Sequence, residues 1–162
     1  FVAGEKLRAQ RLNDLIATGD VTLHAMYTAS GSQSIPHQGT TTIAFGTRDQ
    51  TTSLVTRSAS GAGHRFTLNR SGIWAVSATV RFSGVAGAGE RYAELVHVGG
   101  TCAANGTAVP GSQPPVTMNP TVTRHFSAGD WIEVRAWQSS GAPIALDPAG
   151  GWVRVHLAWL HA

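Results

Sequence analysis

The sequence predicts an all-β protein in which short antiparallel strands form a sandwich or a barrel. About eight strand patterns follow one another, with turn signals roughly every 8–12 residues. Only 13% of the 162 residues are charged, and the chain is rich in Gly, Ser and Thr, a composition typical of strands and turns rather than of exposed helices. With 42% hydrophobic residues, a chain of this length can bury a real core within one domain.

The first 19 residues differ in kind from the rest of the chain. Residues 6–17 are mostly good helix formers, and Gly19 follows as a stop signal. A helix of about three turns is marginal alone in water, so it needs a surface to pack on. We expect an attachment helix over residues 1–19 and a β domain over residues 20–162. Docking on a neighbouring chain is favoured, and the alternative is a helix folded back on its own domain.

Three strand candidates precede the longest pattern in the chain. Residues 21–27 form a short one, residues 40–46 are rich in the β-favouring residues Thr and Ile, and residues 53–57 form a weaker one. Residues 58–63 form a Ser/Gly/Ala turn. These strands lead into the segment that organises the sheet.

The segment from Phe66 to Phe82 predicts a strand, a tight turn and a long strand. The turn lies at residues 69–72, a polar cluster that ends in Gly. Beyond it, alternate residues are apolar, which indicates one face in a core. These residues are Trp74, Val76, Ala78, Val80 and Phe82.

Four further strand candidates follow Phe82, after a glycine-rich turn at residues 83–90. They are residues 91–98, 121–126, 131–138 and 152–160. The strand at 131–138 has Ile132, Val134 and Ala136 on one face. The last strand carries apolar residues on both faces, which predicts that an identical subunit covers the second one.

Two long irregular segments are predicted, at residues 99–120 and 139–151. Loops of this length in a compact domain are usually functional or mobile, so they are the predicted exposed and glycan-contacting parts of the molecule. The residues assigned to these exposed loops are Cys102, Asn105, Pro114 and Asp147.

Tryptophans on the outer side of strands can stack on sugar rings or anchor a subunit interface. Interface is the favoured role here, because Trp131 and Trp137 share a strand face with Glu133 and Arg135. The predicted subunit interface consists of Trp131, Trp137, Trp152 and Leu160.

Composition and spacing argue against several chemistries. The formal net charge is +3 with scattered basic residues, so nucleic acid is not an expected partner. No apolar run reaches membrane-spanning length, and no signal peptide is expected. Cys102 is the single cysteine, which excludes an intrachain disulfide and a cysteine-based zinc cluster.

No cofactor, metal site or catalytic activity is expected. The seven histidines lack HxH or HxxxH spacing. His97, His125 and His156 lie in strands and could meet at a three-fold axis, but ordinary strand histidines are the favoured interpretation. A Ser-His-Asp triad would need a context, such as a G-x-S-x-G turn, that the chain lacks.

Three runs of the sequence carry a family resemblance. They are FTLNRSGIWAVSATV from Phe66, AELV around Leu95, and FSAGDWIEV from Phe126. Together with the final apolar strand, they resemble the trimeric jelly roll shared by tumour necrosis factor and the globular heads of complement and collagen-like proteins. The resemblance covers about residues 40–160. It implies an antiparallel jelly-roll sandwich that forms a homotrimer, with Trp74 where Tyr or Phe is usual.

The opening run FVAGEKLRAQRLN resembles a phrase that begins many bacteriophage tail and fibre proteins. The matching residues are Phe1, Gly4, Glu5, Leu7, Ala9, Leu12 and Asn13, with Arg8 where Thr is common. In that group the segment attaches the protein to the virion. The residues expected to attach this chain to the particle are Phe1, Leu7, Leu12, Leu15 and Ile16.

The two resemblances together predict a bacteriophage virion structural protein. We expect a homotrimeric minor tail protein at the tail tip, bound to other virion proteins through its N-terminal helix, with loops that face a host cell-wall glycan. The alternatives are a capsid decoration or head-fibre protein, and a carbohydrate-binding receptor-recognition module.

Overall fold

The computed structural model describes most of the chain after residue 22. The described ranges are residues 23–50, 52–84, 87–110 and 114–162. The predicted attachment helix over residues 1–19 lies outside them, as do its five contact residues, Phe1, Leu7, Leu12, Leu15 and Ile16. No α-helix occurs in the described ranges, and none of their elements could cross a membrane as a helix.

Fourteen strands and one 3₁₀ segment, η1, make up the described part of the chain. They are β1 (His24–Thr28), β2 (Ser34–Ile35), β3 (Thr41–Thr42), β4 (Thr47–Gln50), β5 (Val55–Ser60), β6 (Gly63–Leu68), β7 (Gly72–Phe82), β8 (Ala88–His97), β9 (Gly100–Pro110), β10 (Val116–Met118), β11 (Thr121–Phe126), β12 (Trp131–Gln138), β13 (Ile144–Ala145), η1 (Ala149–Gly151) and β14 (Arg154–His161).

The strands form two six-stranded antiparallel sheets. The β7 sheet has the order β10-β7-β14-β1-β4, and β11 also pairs with β7. The β12 sheet has the order β5-β6-β12-β8-β9, and β3 also pairs with β12. A small two-stranded sheet joins β13 to β2. The predicted all-β sandwich is therefore confirmed.

β10 and β11 are two parts of one path along β7. Val116 lies opposite Phe82, and Phe126 lies opposite Gly72. The path is broken at Pro120, which has no N–H for the ladder. Its carbonyl still accepts a hydrogen bond from the Ala78 N–H at 3.0 Å. A proline therefore interrupts this strand without detaching it.

The long strand β7 fills the space between the sheets, as its alternation predicts. Every second residue is buried, from Trp74 and Val76 to Phe82. The Trp74 indole N–H donates to the Arg70 carbonyl at 3.0 Å, so this large side chain is buried with its polar atom paired. The inner face of β12 is also confirmed, because Ile132 and Val134 are fully buried.

Gly72 is the residue that lets β7 begin against the end of β14. Its φ of +141° is unfavourable for residues with a side chain. A Cβ there would lie 2.4 Å from the His161 carbonyl oxygen and 2.5 Å from Trp159 Nε1. A glycine is required at this position because the two strand ends meet there.

The largest error of the sequence prediction concerns residues 99–120. They were predicted as a loop because of their Gly and Pro content, yet Gly100–Pro110 is an eleven-residue strand paired with β8. β9 lies at the edge of its sheet, where Gly and a terminal Pro cost few hydrogen bonds. The predicted loop at 139–151 likewise contains β13 and η1.

Other boundaries moved by a few residues. The strand predicted at 40–46 is reduced to Thr41–Thr42, and the turn predicted at 58–63 is mostly strand, with the turn itself at residues 61–62. β8 begins at Ala88, inside the turn predicted at 83–90. In each case a pairing partner extends or shortens the strand beyond its local pattern.

Candidate functional site

The outward side of the β7 sheet carries small, apolar and histidine side chains. The register aligns His24 with Ala158 and Ala75, and Met26 with His156 and Ser77. All six are half-buried. We call these six residues the β7 outer face. The four strands β1, β7, β11 and β14 contain no Asp or Glu, so they cannot supply a carboxylate to pair with a cation on this face.

Two histidines meet on the β7 outer face. The rings of His24 and His156 are 5.1 Å apart and inclined at 63°. Burial lowers the pKa of His156, and the neighbouring charges of His24 and Arg154 lower it further. His156 is therefore held in its neutral form. Beside it lies a depression of about 280 Å³, lined by Met26, Ser77, Thr79, Arg154 and His156.

The outward side of the β12 sheet is organised around a buried carboxylate. Glu133 is 1% exposed. Its Oε1 accepts hydrogen bonds from the Ser60 hydroxyl at 2.6 Å and from Arg65 Nη2 at 2.8 Å, and its Oε2 accepts from Arg135 Nη2 at 2.8 Å. The register explains the cluster, because Arg65 lies directly opposite Glu133 and Arg135 is two residues further along the same face.

Hydrogen bonds decide the ionisation of Glu133. Burial alone would raise the pKa of this carboxyl, but the hydrogen bonds from Ser60, Arg135 and Arg65 outweigh burial and lower it. Glu133 is therefore ionised at neutral pH. The alternation of β12 predicts Glu133 on an outer face but not its burial, because its partners Ser60 on β5 and Arg65 on β6 are distant in the chain.

The four residues predicted at a subunit interface do not share one surface. Trp131 and Trp137 lie on β12, whereas Trp152 precedes β14 and Leu160 lies near the end of β14. Trp152 and Leu160 are 44% and 49% exposed, and they stand at opposite ends of that strand, roughly 26 Å apart along it. Their role in an interface stays a prediction, with Leu160 nearest to the β7 outer face.

Trp131 is already covered by its own chain. The Arg65 guanidinium lies 3.9 Å from the centre of its ring, a cation–π contact. Trp152 has a looser one, with Arg81 at 5.3 Å. Trp137 has no cation or aromatic ring over it within the described ranges. The three tryptophans therefore differ in how far each is available to a partner.

Two of the predicted loop residues lie in β9 instead. Cys102 is half-buried, and its Sγ lies 3.3 Å from the Leu95 carbonyl. Burial raises the pKa of the Cys102 thiol, so it is not an activated thiolate. Asn105 is exposed, and its Oδ1 accepts a hydrogen bond from the Asn119 N–H at 3.1 Å.

The other two loop residues behave differently from each other. Pro114 is exposed, as predicted. Asp147 is half-buried: its Oδ2 lies 3.3 Å from Arg81 Nε, and its Oδ1 accepts from the Ala149 N–H at 3.1 Å. Asp147 therefore closes a turn against β7 rather than standing free in a loop.

No group of three or more His, Cys, Asp or Glu side chains in the described ranges could hold a metal ion. His97 lies on β8 of the β12 sheet, whereas His125 and His156 belong to the β7 sheet. The His97 Nε2 is 3.3 Å from Asp130 Oδ2. Within one chain the three histidines therefore do not form a common site.

Comparison with known proteins shows the fold. No family model and no curated protein matches the chain. Among solved structures, the Eiger TNF protein of S. frugiperda is similar with a TM-score of 0.61 at 11% identity, over 85% of this chain and 92% of that one. Murine APRIL is similar at 15% identity and over 85% of this chain, with TM-scores of 0.59 at pH 5.0, over 98% of that chain, and 0.54 at pH 8.5, over 99%.

These likenesses define the class of the domain as a TNF-like jelly roll. They confirm the fold that the sequence resemblance implied. At 11–15% identity they carry the fold alone and give this chain no receptor or signalling role.

Proposed function

We propose that this chain is a structural protein of a bacteriophage virion, a homotrimeric minor tail protein at the tail tip. One observation carries the proposal: the β7 outer face is built from small, apolar and histidine side chains, and its strands β1, β7 and β14 contain no Asp or Glu. A face of this kind suits burial against another copy of the chain. The TNF-like jelly roll supports this assembly, since the family that the sequence resembles is trimeric.

The assignment to a virion is supported by the opening run of the chain. Residues 1–13 resemble the start of phage tail and fibre proteins, where this segment attaches the protein to the particle. Residue 23 is joined to β1, which lies in the β7 sheet beside β14. An N-terminal attachment segment would therefore leave the domain from the sheet that we assign to trimer contacts.

The first test is the mass of the protein in solution. Sedimentation equilibrium should give three times the 16.9 kDa of one chain. A species of 16.9 kDa at micromolar concentration would contradict the trimer. A stable dimer would contradict it as well, because the proposed assembly has three-fold symmetry.

The second test separates assembly from attachment. Deleting residues 1–19 should leave a trimer that is absent from purified particles, whereas the full chain is incorporated. Undiminished incorporation of the truncated chain would overturn the attachment role. Immunogold labelling of particles should then place the full chain at the tail tip. Label spread over the capsid would replace this location with a capsid decoration role.

A further inference from the structure

A groove of about 260 Å³ opens on the outward side of the β12 sheet, near its β9 edge. Tyr92, Gly106 and Trp137 line it, together with Glu90 and Thr107. Its volume lies just below the roughly 300 Å³ at which pockets for drug-sized ligands begin. The groove therefore has room for a single ring of a larger molecule rather than for an extended ligand.

The strand register produces the groove. Trp137 lies opposite Tyr92, and Tyr92 lies opposite Gly106, so the three form one row across β12, β8 and β9. Gly106 has no side chain, and a Cβ there would come within 2.9 Å of Tyr92 Cδ2. The Tyr92 ring therefore lies over the β9 backbone, in space that any other residue at position 106 would fill.

The two tryptophans of β12 differ in whether another side chain of this protein covers their rings. Trp131 is capped by the Arg65 guanidinium at 3.9 Å. Trp137 has no ring or guanidinium over it anywhere in the part of the chain that the structure describes. Both are half-buried on the outward side. Trp137 thus offers an aromatic surface that this chain does not itself cover.

Polar groups stand at the rim of this aromatic row. Glu90 is exposed, and its carboxylate has no hydrogen-bond or ion-pair partner within the described ranges. Burial raises the pKa of the Tyr92 phenol, and the Glu94 charge raises it further, so Tyr92 keeps its O–H donor at neutral pH. Arg91 also lines the groove, but its guanidinium donates to the Glu90 and Gly87 carbonyls. The Glu90 carboxylate has no such partner, so it disfavours an anionic ligand in the groove.

A pyranose ring has one apolar face and several hydroxyls, which match the aromatic row and the polar groups at its rim. One face of the ring consists of C–H groups that stack on an aromatic surface, and its edge carries hydroxyls that donate to a carboxylate and accept from a phenol. We propose that the groove binds one uncharged hexopyranose ring of a surface glycan. The ring stacks on Trp137 beside Tyr92, and its hydroxyls bind the Glu90 carboxylate and the Tyr92 phenol.

This site goes beyond the proposed function, because it needs only the folded domain. It overlaps the sequence-based expectation in part, because Gly106 lies in the segment at 99–120, whereas Tyr92 and Trp137 lie outside both segments expected to contact a glycan. Binding is therefore measured on the isolated protein, and its failure would leave the assembly proposal standing.

The test uses the indole N–H signals of the five tryptophans in a ¹H–¹⁵N spectrum, assigned by Trp→Phe variants. Methyl glycosides of glucose, galactose, mannose and N-acetylglucosamine are titrated separately. At least one should shift the Trp137 signal in a saturable way at millimolar concentration, with Trp131 unchanged. If none shifts Trp137, or if only other tryptophans respond, the proposal is wrong.

A matched pair of glycine substitutions gives a second test that removes no ligand-binding side chain. Gly106→Ala places a methyl group 2.9 Å from the Tyr92 ring, whereas Gly99→Ala meets nothing nearer than His97 Nδ1 at 3.9 Å. Gly106→Ala and Trp137→Ala should each weaken binding about tenfold or more, the size of one stacking contact. Gly99→Ala should bind as the parent does. Equal affinity for Gly106→Ala and Gly99→Ala, with both folded by circular dichroism, would overturn the site.

Discussion

The two sheets of this jelly roll cover their outward sides in opposite ways. On the β12 sheet, Glu133 is sealed by Arg65, Arg135 and Ser60, and Arg65 also covers Trp131. On the β7 sheet, the strands β1, β7, β11 and β14 have no carboxylate. One buried acid thus lets a sheet satisfy its own cations and aromatic rings. The β7 outer face instead presents small, apolar and histidine side chains that another chain can cover, with the exposed Arg154 beside them.

The largest expected effect comes from placing a charge on the β7 outer face. Ala158→Arg places a cation beside Ala75 and His24, on the strands β1, β7 and β14, which contain no Asp or Glu. A buried unpaired charge at an interface is strongly unfavourable. We expect the trimer to be lost, so that sedimentation gives 16.9 kDa. Ala104→Arg, at an exposed position of β9, should remain trimeric. Trimers from both variants would exclude the β7 outer face as the contact.

The second-largest expected effect comes from removing the buried carboxylate of the β12 sheet. Glu133→Ala leaves Arg65, Arg135 and Ser60 without their acceptor. The free energy of unfolding should fall by about 2–3 kcal/mol. This loss is smaller than the loss expected when a fully buried ion pair is broken, because the Arg65 and Arg135 side chains are 37% and 33% exposed. Urea titration measures the loss.

Glu94→Ala is the matched control for Glu133→Ala. The Glu94 carboxylate lies on the same sheet but accepts a hydrogen bond from the Thr101 hydroxyl alone in the described ranges. Its removal should cost less than about 1 kcal/mol. Equal losses for the two variants would mean that the Glu133 cluster has no special role in stability.

Acid should destabilise the β12 side and the β7 side over different pH ranges. The folded pKa of Glu133 is lowered below 4.5, so the folded state binds fewer protons than the unfolded state. Its contribution is complete above the unfolded pKa and is lost as pH falls through the folded pKa. Unfolding midpoints between pH 7 and pH 3 should fall more steeply below about pH 4.5 for the parent than for Glu133→Gln. Parallel curves would contradict this linkage.

On the β7 side the loss of stability begins at a higher pH. The pKa of His156 is lowered from 6.5, so its neutral form stabilises the fold above that pH. Stability should then decrease as pH falls from 6.5 towards the folded pKa. His156→Gln should flatten this upper part of the curve and leave the part below 4.5 unchanged. If the pH dependence of stability near pH 6.5 were unchanged in His156→Gln, another group would be its source. His64 is the first alternative, because burial and the Arg57 charge also lower the pKa of His64.

The smallest effect compares the two tryptophans of β12. Trp131→Leu removes the ring under the Arg65 guanidinium and should cost about 0.5–1 kcal/mol beyond the change in apolar area. Trp137→Leu removes no such contact, so its cost should be smaller by that amount. Thermal unfolding of both variants measures the difference. A larger loss for Trp137→Leu would show that Trp137 is structural and would weaken the proposed glycan site.

The sequence predicted what depends on local alternation. The inner faces of β7 and β12 were correct because a strand with one buried side must carry apolar residues at every second position. The turn that ends at Gly72 was visible because it is a polar run closed by a glycine. The interface and attachment roles stay predictions.

Only the tertiary structure decided which outward residues meet. β9 is held by backbone hydrogen bonds from β8, which leave no side-chain pattern in a Gly-rich edge strand. Glu133 and Arg65 are 68 positions apart, and only sheet register brings them together. The same register covers Trp131 and leaves Trp137 beside Tyr92 and Gly106. Alternation says which side of a strand faces out, whereas pairing with distant strands determines whether a residue on that side is sealed or free.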